Sequence, residues 1–423
     1  KLAGDPIVWL LLAALAVRLG AAAWWQSRLP AGQQFEFGDS ESYWALAQKI
    51  ARGEPYEFGE PPRQVFRTPG YPLTLAGLML FCGVDAPVMT ARALGAGLGT
   101  LTVLGVYILG LQLFDRTTGR VAAGLAVFYP GAVSMSVFVL SEALFCPLLI
   151  AQLIASTAAW KSASLRAALG FAVVAGCLAG AATLARPSWL LFTPLAALAT
   201  LFCSRKPLTQ RGVLAVALLA GMIGAMTPWW IRNAQVSGHF IPTTLQVGAS
   251  LYDGWNPQAD GSSNMKPVDE LIAQDELQLP ADAAAREYQL DRDLQRAAVD
   301  WARANPARAA WLAAVKLRRL WNIWPNETEF RSWPLRLAVM ATYVPLMALA
   351  FVGAWRYSRR GWPWVLCWLP AFYFSALHMV FVSSIRYREP AMLPLIVLAA
   401  AALVRATRIS PSPFAPRGYP EPG

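Results

Sequence analysis

Apolar runs long enough to cross a hydrocarbon core, about 20 residues for ~30 Å, recur along most of the chain between short polar breaks. The pattern predicts ten spans: Ile7 to Trp25, Ala86 to Leu113, Arg120 to Tyr129, Val137 to Trp160, Ala167 to Ala185, Trp189 to Phe202, Val213 to Ile231, Leu335 to Trp355, Trp362 to Phe381 and Ala391 to Val404. The third is short, and Tyr129-Pro130-Gly131 separates it from the fourth, so one bent re-entrant hairpin is an alternative there. The apolar piece Tyr71 to Phe81 is too short to cross and is placed outside. That choice gathers Arg116/Arg120, Lys161/Arg166, Arg205/Lys206/Arg211, Arg356/Arg359/Arg360 and Arg405/Arg408 on one side. The positive-inside rule assigns that side, with both termini, to the cytoplasm. The predicted fold class is all-α: a polytopic membrane protein of about ten transmembrane helices with helical outward-facing loops.

Composition agrees with the pattern. The chain is 56% hydrophobic and 14% charged, where a soluble domain carries about a quarter charged residues. Its net charge of +11 is spread over short loops with no groove-binding motif, which points to anionic lipid headgroups and away from nucleic acid. None of the five cysteines lies in the long outer loop, so neither a disulfide framework nor a metal-type spacing is present. Two histidines exclude a His-rich metal site. A divalent cation held by carboxylates stays open, and no other cofactor is called for. The first apolar segment ends in Trp24-Trp25-Gln26-Ser27-Arg28 without a small-residue cleavage pattern, unlike a removed signal peptide.

Four regions follow. Residues 1–231 form an N-terminal transmembrane module that includes an outward catalytic loop, 26–85. Residues 232–334 form an outward helical region, 335–408 the C-terminal transmembrane helices, and 409–423 a Pro- and Gly-rich disordered tail. Within the outward region, Asp269 to Asn305 reads as soluble helix. Ala307 to Trp324 reads as an amphipathic helix lying in the membrane interface, with Ala310, Ala313, Ala314, Leu317, Trp321 and Trp324 on one face and Arg308 and Arg319 opposite.

The candidate chemistry gathers at the outward side. Asp39 stands before a predicted short helix, Glu41 to Ala51, that closes at Arg52-Gly53. It reads either as a helix cap or as a general base whose basicity is tuned by nearby Glu41 and shielded by Phe35, Phe37, Tyr43 and Trp44. Arg18 and Arg92 lie inside predicted spans, where a charge marks a site, an ion pair or a side chain snorkelling to the headgroups. Arg186-Pro187 and Arg386-Tyr387-Arg388 break the expected scarcity of outward arginines and suit a lipid phosphate, whose oxygens match the guanidinium fork. Glu142 opens the fourth span and reads as a structural partner of one of these arginines or as a substrate ligand. Arg63, Arg67 and Arg232 are candidates too, with loop carboxylates as alternative partners. Asn326-Glu327-Thr328 matches a glycosylation acceptor pattern, which is short.

Gly38-Asp39, Tyr43, Ala47, Gly53 and Arg67-Thr68-Pro69-Gly70-Tyr71-Pro72 together resemble the first outward loop of bacterial membrane glycosyltransferases related to protein O-mannosyltransferases and to the aminoarabinose transferase of lipid A. Ser141-Glu142, Arg186-Pro187, Pro228-Trp229-Trp230-Ile231-Arg232-Asn233, Gly254-Trp255-Asn256-Pro257, Asn305-Pro306 and Arg386-Tyr387-Arg388 extend the resemblance, in order, over nearly the whole chain. Where O-mannosyltransferases often show an Asp-Glu pair, this chain has Asp39-Ser40-Glu41. The resemblance implies a GT-C architecture and an inverting transfer of a hexose or pentose from a polyprenyl-phosphate sugar to an acceptor hydroxyl of a lipid, glycan or protein. It implies a bacterial inner membrane, with the site facing the periplasm or outside. Asp39 is then the catalytic base, Glu41, Tyr43, Arg67, Tyr71 and Glu142 bind substrate, and Arg18, Arg92, Arg186, Arg386 and Arg388 bind the lipid phosphate. A flippase or transporter of a lipid-linked sugar, and a ligase or polymerase using a pyrophosphate-linked oligosaccharide, are the competing readings.

Overall fold

The computed structural model describes residues 6–203, 206–275, 279–325 and 332–409. Eighteen α-helices follow one another among these residues. They are α1 (Ile7–Arg28), α2 (Gly38–Arg52), α3 (Gly70–Cys82), α4 (Val88–Leu113), α5 (Arg116–Phe128), α6 (Pro130–Val137), α7 (Glu142–Lys161), α8 (Leu165–Ala185) and α9 (Phe192–Cys203). The second half contributes α10 (Leu208–Ser237), α11 (Val247–Gly254), α12 (Lys266–Asp275), α13 (Ala283–Ala304), α14 (Pro306–Leu320), α15 (Trp333–Tyr357), α16 (Trp362–Val365), α17 (Leu369–Val380) and α18 (Glu389–Ile409). The described residues contain no strand, only an isolated bridge between Phe58 and Arg63.

The ten predicted spans fall largely on helix, and seven of the helices are long and apolar enough to cross a bilayer, so the chain is a multi-pass membrane protein. The rest differ in instructive ways. The predicted third span runs into α6 through a 60° bend, and the pair counts as an eighth crossing only if taken together. Tyr129 ends α5 and Pro130 starts α6, because proline has no N–H to continue the α5 ladder. The predicted fourth span begins at Glu142, not Val137: Val137 closes α6, and residues 138–141 link the two. The predicted sixth and ninth spans form the shorter helices α9 and α17, each of 12 residues and therefore about 18 Å long. Helix α3, at 13 residues, is also too short to cross, and it turns Leu73, Leu80 and Phe81 outward.

Packing singles out α18. Some 78% of its apolar window is buried, against 22% for α1 and for α15, so it is the central post around which the other helices stand. Residues Met392 to Ala400 are almost wholly enclosed. At its N-terminal end the Glu389 carboxylate crowds the place a Cβ on Gly131 would take, so glycine is what lets the start of α6 approach α18.

Chain direction alternates through the bundle. The ends carrying residues 28–38, 142, 185–186, 237 and 385–389 therefore lie on one side, and those carrying Arg116, Lys161, Arg211 and Arg405 on the other.

Two expectations for the outward region change. The helix read over Asp269 to Asn305 is two helices, α12 and α13, and the Asp282 carboxylate caps α13 through the Ala285 amide at 2.9 Å. Helix α14 buries Leu312, Lys316 and Leu320, whereas Ala310 and Ala314 of the predicted apolar face are exposed. A lysine can stand on the buried face because its ammonium donates to the Val380 carbonyl at 2.7 Å. Burial brings its pKa down to about 8. Asn326-Glu327-Thr328 and the tail from Ser410 lie outside the described residues.

Candidate active site

Helix α2 starts one residue before Asp39 and ends at Gly53, whose φ of 71° is the left-handed cap conformation glycine adopts freely. The cap reading of Asp39 fails: Phe37 is the N-cap, with no side-chain cap bond, and Asp39 sits in the first helical turn. Its carboxylate points elsewhere. Oδ1 receives Nη2 of Arg67 at 2.6 Å, and Oδ2 receives Nη2 of Arg386 at 3.3 Å. Burial opposes charge on Asp39, but the two guanidiniums outweigh it and bring its pKa down to about 2.

Those two arginines extend the contact in opposite directions. Arg67 is fixed by the Ser42 hydroxyl at 3.1 Å and the Gln246 amide oxygen at 3.1 Å, and its guanidinium lies over the rings of Phe66 and Tyr43. Arg386 donates from Nε to Oε1 of Glu142 at 2.5 Å, and the same oxygen accepts from Nη1 of Arg186 at 2.6 Å. Arg67, Asp39, Arg386, Glu142 and Arg186 thus form a continuous chain of alternating charge, with three guanidiniums against two carboxylates. It is drawn from α2, the segment before α3, the start of α7, the end of α8 and the segment before α18. Glu142 is fully buried at its centre, where an unpaired carboxylate would be very costly.

Asp39 and Arg386 line a cleft of about 1710 Å³. Trp24 and Trp25 of α1, Val133 of α6, Phe138 and Val339 of α15 give it apolar walls. Trp25 and Phe37 both meet the Phe138 ring edge-on, which carries the aromatic wall up to the residue just before Gly38-Asp39.

The remaining predicted site residues are placed otherwise. Tyr43 and Tyr71 are buried against each other behind Asp39, ring centroids 5.3 Å apart, and Glu41 is exposed. Arg18 bonds the Ser136 hydroxyl and the carbonyls of Ala14 and Ala126, tying α1 to the bend between α5 and α6. Arg92 bonds Gln26 and the carbonyls of Val137 and Gln34. Arg388 reaches the carbonyls of Leu320 and Asn322, beside Glu389. Of the five arginines predicted to meet the lipid phosphate, Arg386 is the one whose side chain lines the cleft. Arg232 bonds the carbonyls of Gln64 and Tyr56.

Sequence reasoning passed over Gln246 and Ser42, which orient Arg67. It also passed over Glu287 of α13, whose carboxylate takes the amides of Gln64 and Val65 and holds the segment that carries Arg67. Glu287, Asp291, Leu294 and Ala298 share one helical face, and that spacing was the available signal. Arg319, read only as the polar face of α14, lines the cleft.

Both Asp39 oxygens face guanidiniums, and among the described residues no three His, Cys, Asp or Glu are close enough together to hold a metal.

The bundle is the GT-C fold of membrane glycosyltransferases. Among solved structures, the chain superposes on the oligosaccharyltransferase AglB from Archaeoglobus fulgidus in its apo form with a TM-score of 0.60 at 14% identity, covering 96% of this chain and 52% of that one. The same enzyme in complex with an inhibitory peptide and a dolichol-phosphate gives 0.59 at 14% identity, covering 96% and 51%. This chain therefore spans about half the length of AglB. ArnT from Cupriavidus metallidurans bound to undecaprenyl phosphate aligns at a TM-score of 0.43 and 15% identity, over 96% of this chain and 79% of that one. No family model matches the chain, and no curated protein matches it in sequence.

Proposed function

We propose that this protein is an inverting glycosyltransferase that moves a sugar from a polyprenyl-phosphate donor to an acceptor hydroxyl at the outer face of a bacterial inner membrane. One observation carries the reading: a carboxylate held between two guanidiniums on the lining of a large cleft with aromatic walls. The apolar walls suit a prenyl chain, and Arg386 suits its phosphate. A GT-C relative of similar fold, AglB, has been solved with a dolichol-phosphate, which supports a lipid-phosphate donor. The basic helix ends on the side opposite Asp39 support an outward-facing site.

In the proposed step Asp39 takes the proton of the acceptor O–H as that oxygen attacks the anomeric carbon. The bond from that carbon to the phosphate oxygen breaks, and its electron pair stays on the phosphate. Arg386, whose charge is reinforced through Glu142 by Arg186, meets the added negative charge without reorganising. Attack from the face opposite the phosphate inverts the anomeric centre. Arg67 keeps Asp39 aimed and ionised.

A carboxylate with a pKa of about 2 is a weak base. Donor binding corrects this, because a phosphate competes with Asp39 for Arg386 and relaxes the pKa upward. The test is transfer by purified protein in detergent from a panel of polyprenyl-phosphate sugars, with cell-envelope extract as acceptor. A new glycoside released together with polyprenyl phosphate is expected. Scrambling of the lipid-linked sugar in liposomes without glycoside formation would replace this reading with transport.

A further inference from the structure

The outward part of the cleft holds polar groups that the ion-pair chain does not use. Asp260 and Ser262, between α11 and α12, line it together with Ser383, three residues before Arg386. Ser262 donates to Oδ1 of Asp260 from both its amide, at 2.8 Å, and its hydroxyl, at 2.5 Å. Oδ2 takes no hydrogen bond from any described residue. Ser383 lines the cleft and is 2% exposed, and its buried hydroxyl has no partner among the described residues. Its amide donates to the Gly261 carbonyl at 3.2 Å, which fixes the hydroxyl beside the Asp260 loop. A buried hydroxyl left unbonded costs desolvation free energy with no return, so its orphaned state points to a ligand that completes it.

Ser383 and Arg386 are at most ~11 Å apart on the segment before α18, and both line the same cleft as the apolar walls. Hydroxyls, a guanidinium and apolar wall therefore share one cleft. A polyprenyl-phosphate sugar carries ring hydroxyls, phosphate and hydrocarbon. Arg319 stands beside this group, its Nε donating to the Ser383 carbonyl at 3.5 Å and its charge acting on Asp260. The Asp260 carboxylate accepts from a neutral polyol, while serine hydroxyls both donate and accept.

We propose that Asp260, Ser262 and Ser383 form the subsite that reads the hydroxyls of the donor's sugar ring. This rests on the donor class proposed above and adds which residues select the sugar. The experiment measures binding of polyprenyl phosphomannose, polyprenyl phosphoglucose and unglycosylated polyprenyl phosphate to wild type, Ser383→Ala and Asp260→Asn. Ser383→Ala should weaken the preferred lipid-linked sugar about three- to tenfold, and Asp260→Asn about ten- to a hundredfold, the scale of a neutral and a charged hydrogen bond. Affinity for unglycosylated polyprenyl phosphate should not change, and the melting temperature of Ser383→Ala should hold or rise. A parallel loss of affinity for the unglycosylated lipid overturns the proposal, as does wild-type binding that ignores the sugar. An effect confined to the acceptor KM moves the subsite to the acceptor and overturns it too. If no donor supports transfer yet the sugar-dependent binding and its loss in the variants persist, the transfer reading falls and the subsite stands.

Discussion

Two sets of buried arginines in this protein look alike in sequence and differ in what they touch. Arg67, Arg186 and Arg386 bond carboxylates and Arg18 and Arg92 spend donors on backbone carbonyls, while Arg388 does both, on the carbonyls of Leu320 and Asn322 and on the Glu389 carboxylate. A carbonyl is fixed by the fold and cannot leave, so an arginine bonded to it is committed to structure. A carboxylate partner neutralises charge and is exchangeable for another anion, so an arginine bonded to it keeps a site positive without leaving it unpaired. The exchangeable set is the one that borders the cleft through Arg386 and Asp39.

The largest expected effect breaks the exchangeable set at its anion. Asp39→Asn keeps the shape and removes the base, and transfer should fall about 10²- to 10⁴-fold, the usual contribution of general-base catalysis. Its melting temperature should fall, though less than a fully buried ion pair would imply, because the carboxylate that Arg67 and Arg386 hold ionised is lost while its partly exposed position screens the loss, so transfer is compared per folded molecule. Full turnover in this variant would remove Asp39 from the chemistry. Next in size is Arg386→Lys, which keeps the charge but loses the fork that serves Asp39 and Glu142 at once. A drop of about 10²-fold in kcat/KM is expected, on the scale of removing one donor to a developing oxyanion. Wild-type kinetics there would mean that a point charge suffices.

The other set should respond in stability instead. Arg18→Leu strips two bonds between α1 and the bend of α5 and α6, and a third within α1, and should cost about 1–3 kcal/mol, read as a lower melting temperature. Turnover per folded molecule should be retained. A selective loss of turnover with unchanged melting would place Arg18 in the site and erase the distinction between the two sets.

Sequence alone could not draw that distinction. The apolar pattern placed the predicted spans largely on helix, with breaks at residues 138–141 and 366–368, and Glu142, Arg186 and Arg386 were legible because charge in or beside a membrane span is costly enough to need a reason, while Asp39 and Arg67 were legible from the loop motif after the first span. The same cost argument selected Arg18, Arg92 and Arg388 with equal force, since it registers burial but not the partner. The partner is decided by contacts between residues far apart in the chain, such as Glu142 with Arg386. Lys316 shows the same limit from the other side: helical spacing laid α14 in the membrane interface on its apolar stripe, whereas the helix buries Leu312, Lys316 and Leu320, the lysine bonded to the Val380 carbonyl.

The smallest effect sharpens the comparison most, because it asks whether the carboxylate partner really is exchanged. In the free enzyme Asp39 has a pKa of about 2, so it is ionised throughout pH 5–8 and kcat/KM should show no acid limb from it there. Arg67→Gln removes the stronger of the two lowering charges, and the limb in kcat/KM should move up toward the ordinary carboxylate value of about 4. On the proposed mechanism, kcat in wild type reports a donor-bound state in which phosphate takes Arg386 and Asp39 keeps Arg67 alone. The acid limb of kcat should therefore lie above that of kcat/KM, with activity lost as pH falls through it. Coincident limbs would mean that Arg386 stays on Asp39 through turnover. The phosphate would then have to be met elsewhere on the cleft wall, where Arg28 and Arg319 are the other guanidiniums.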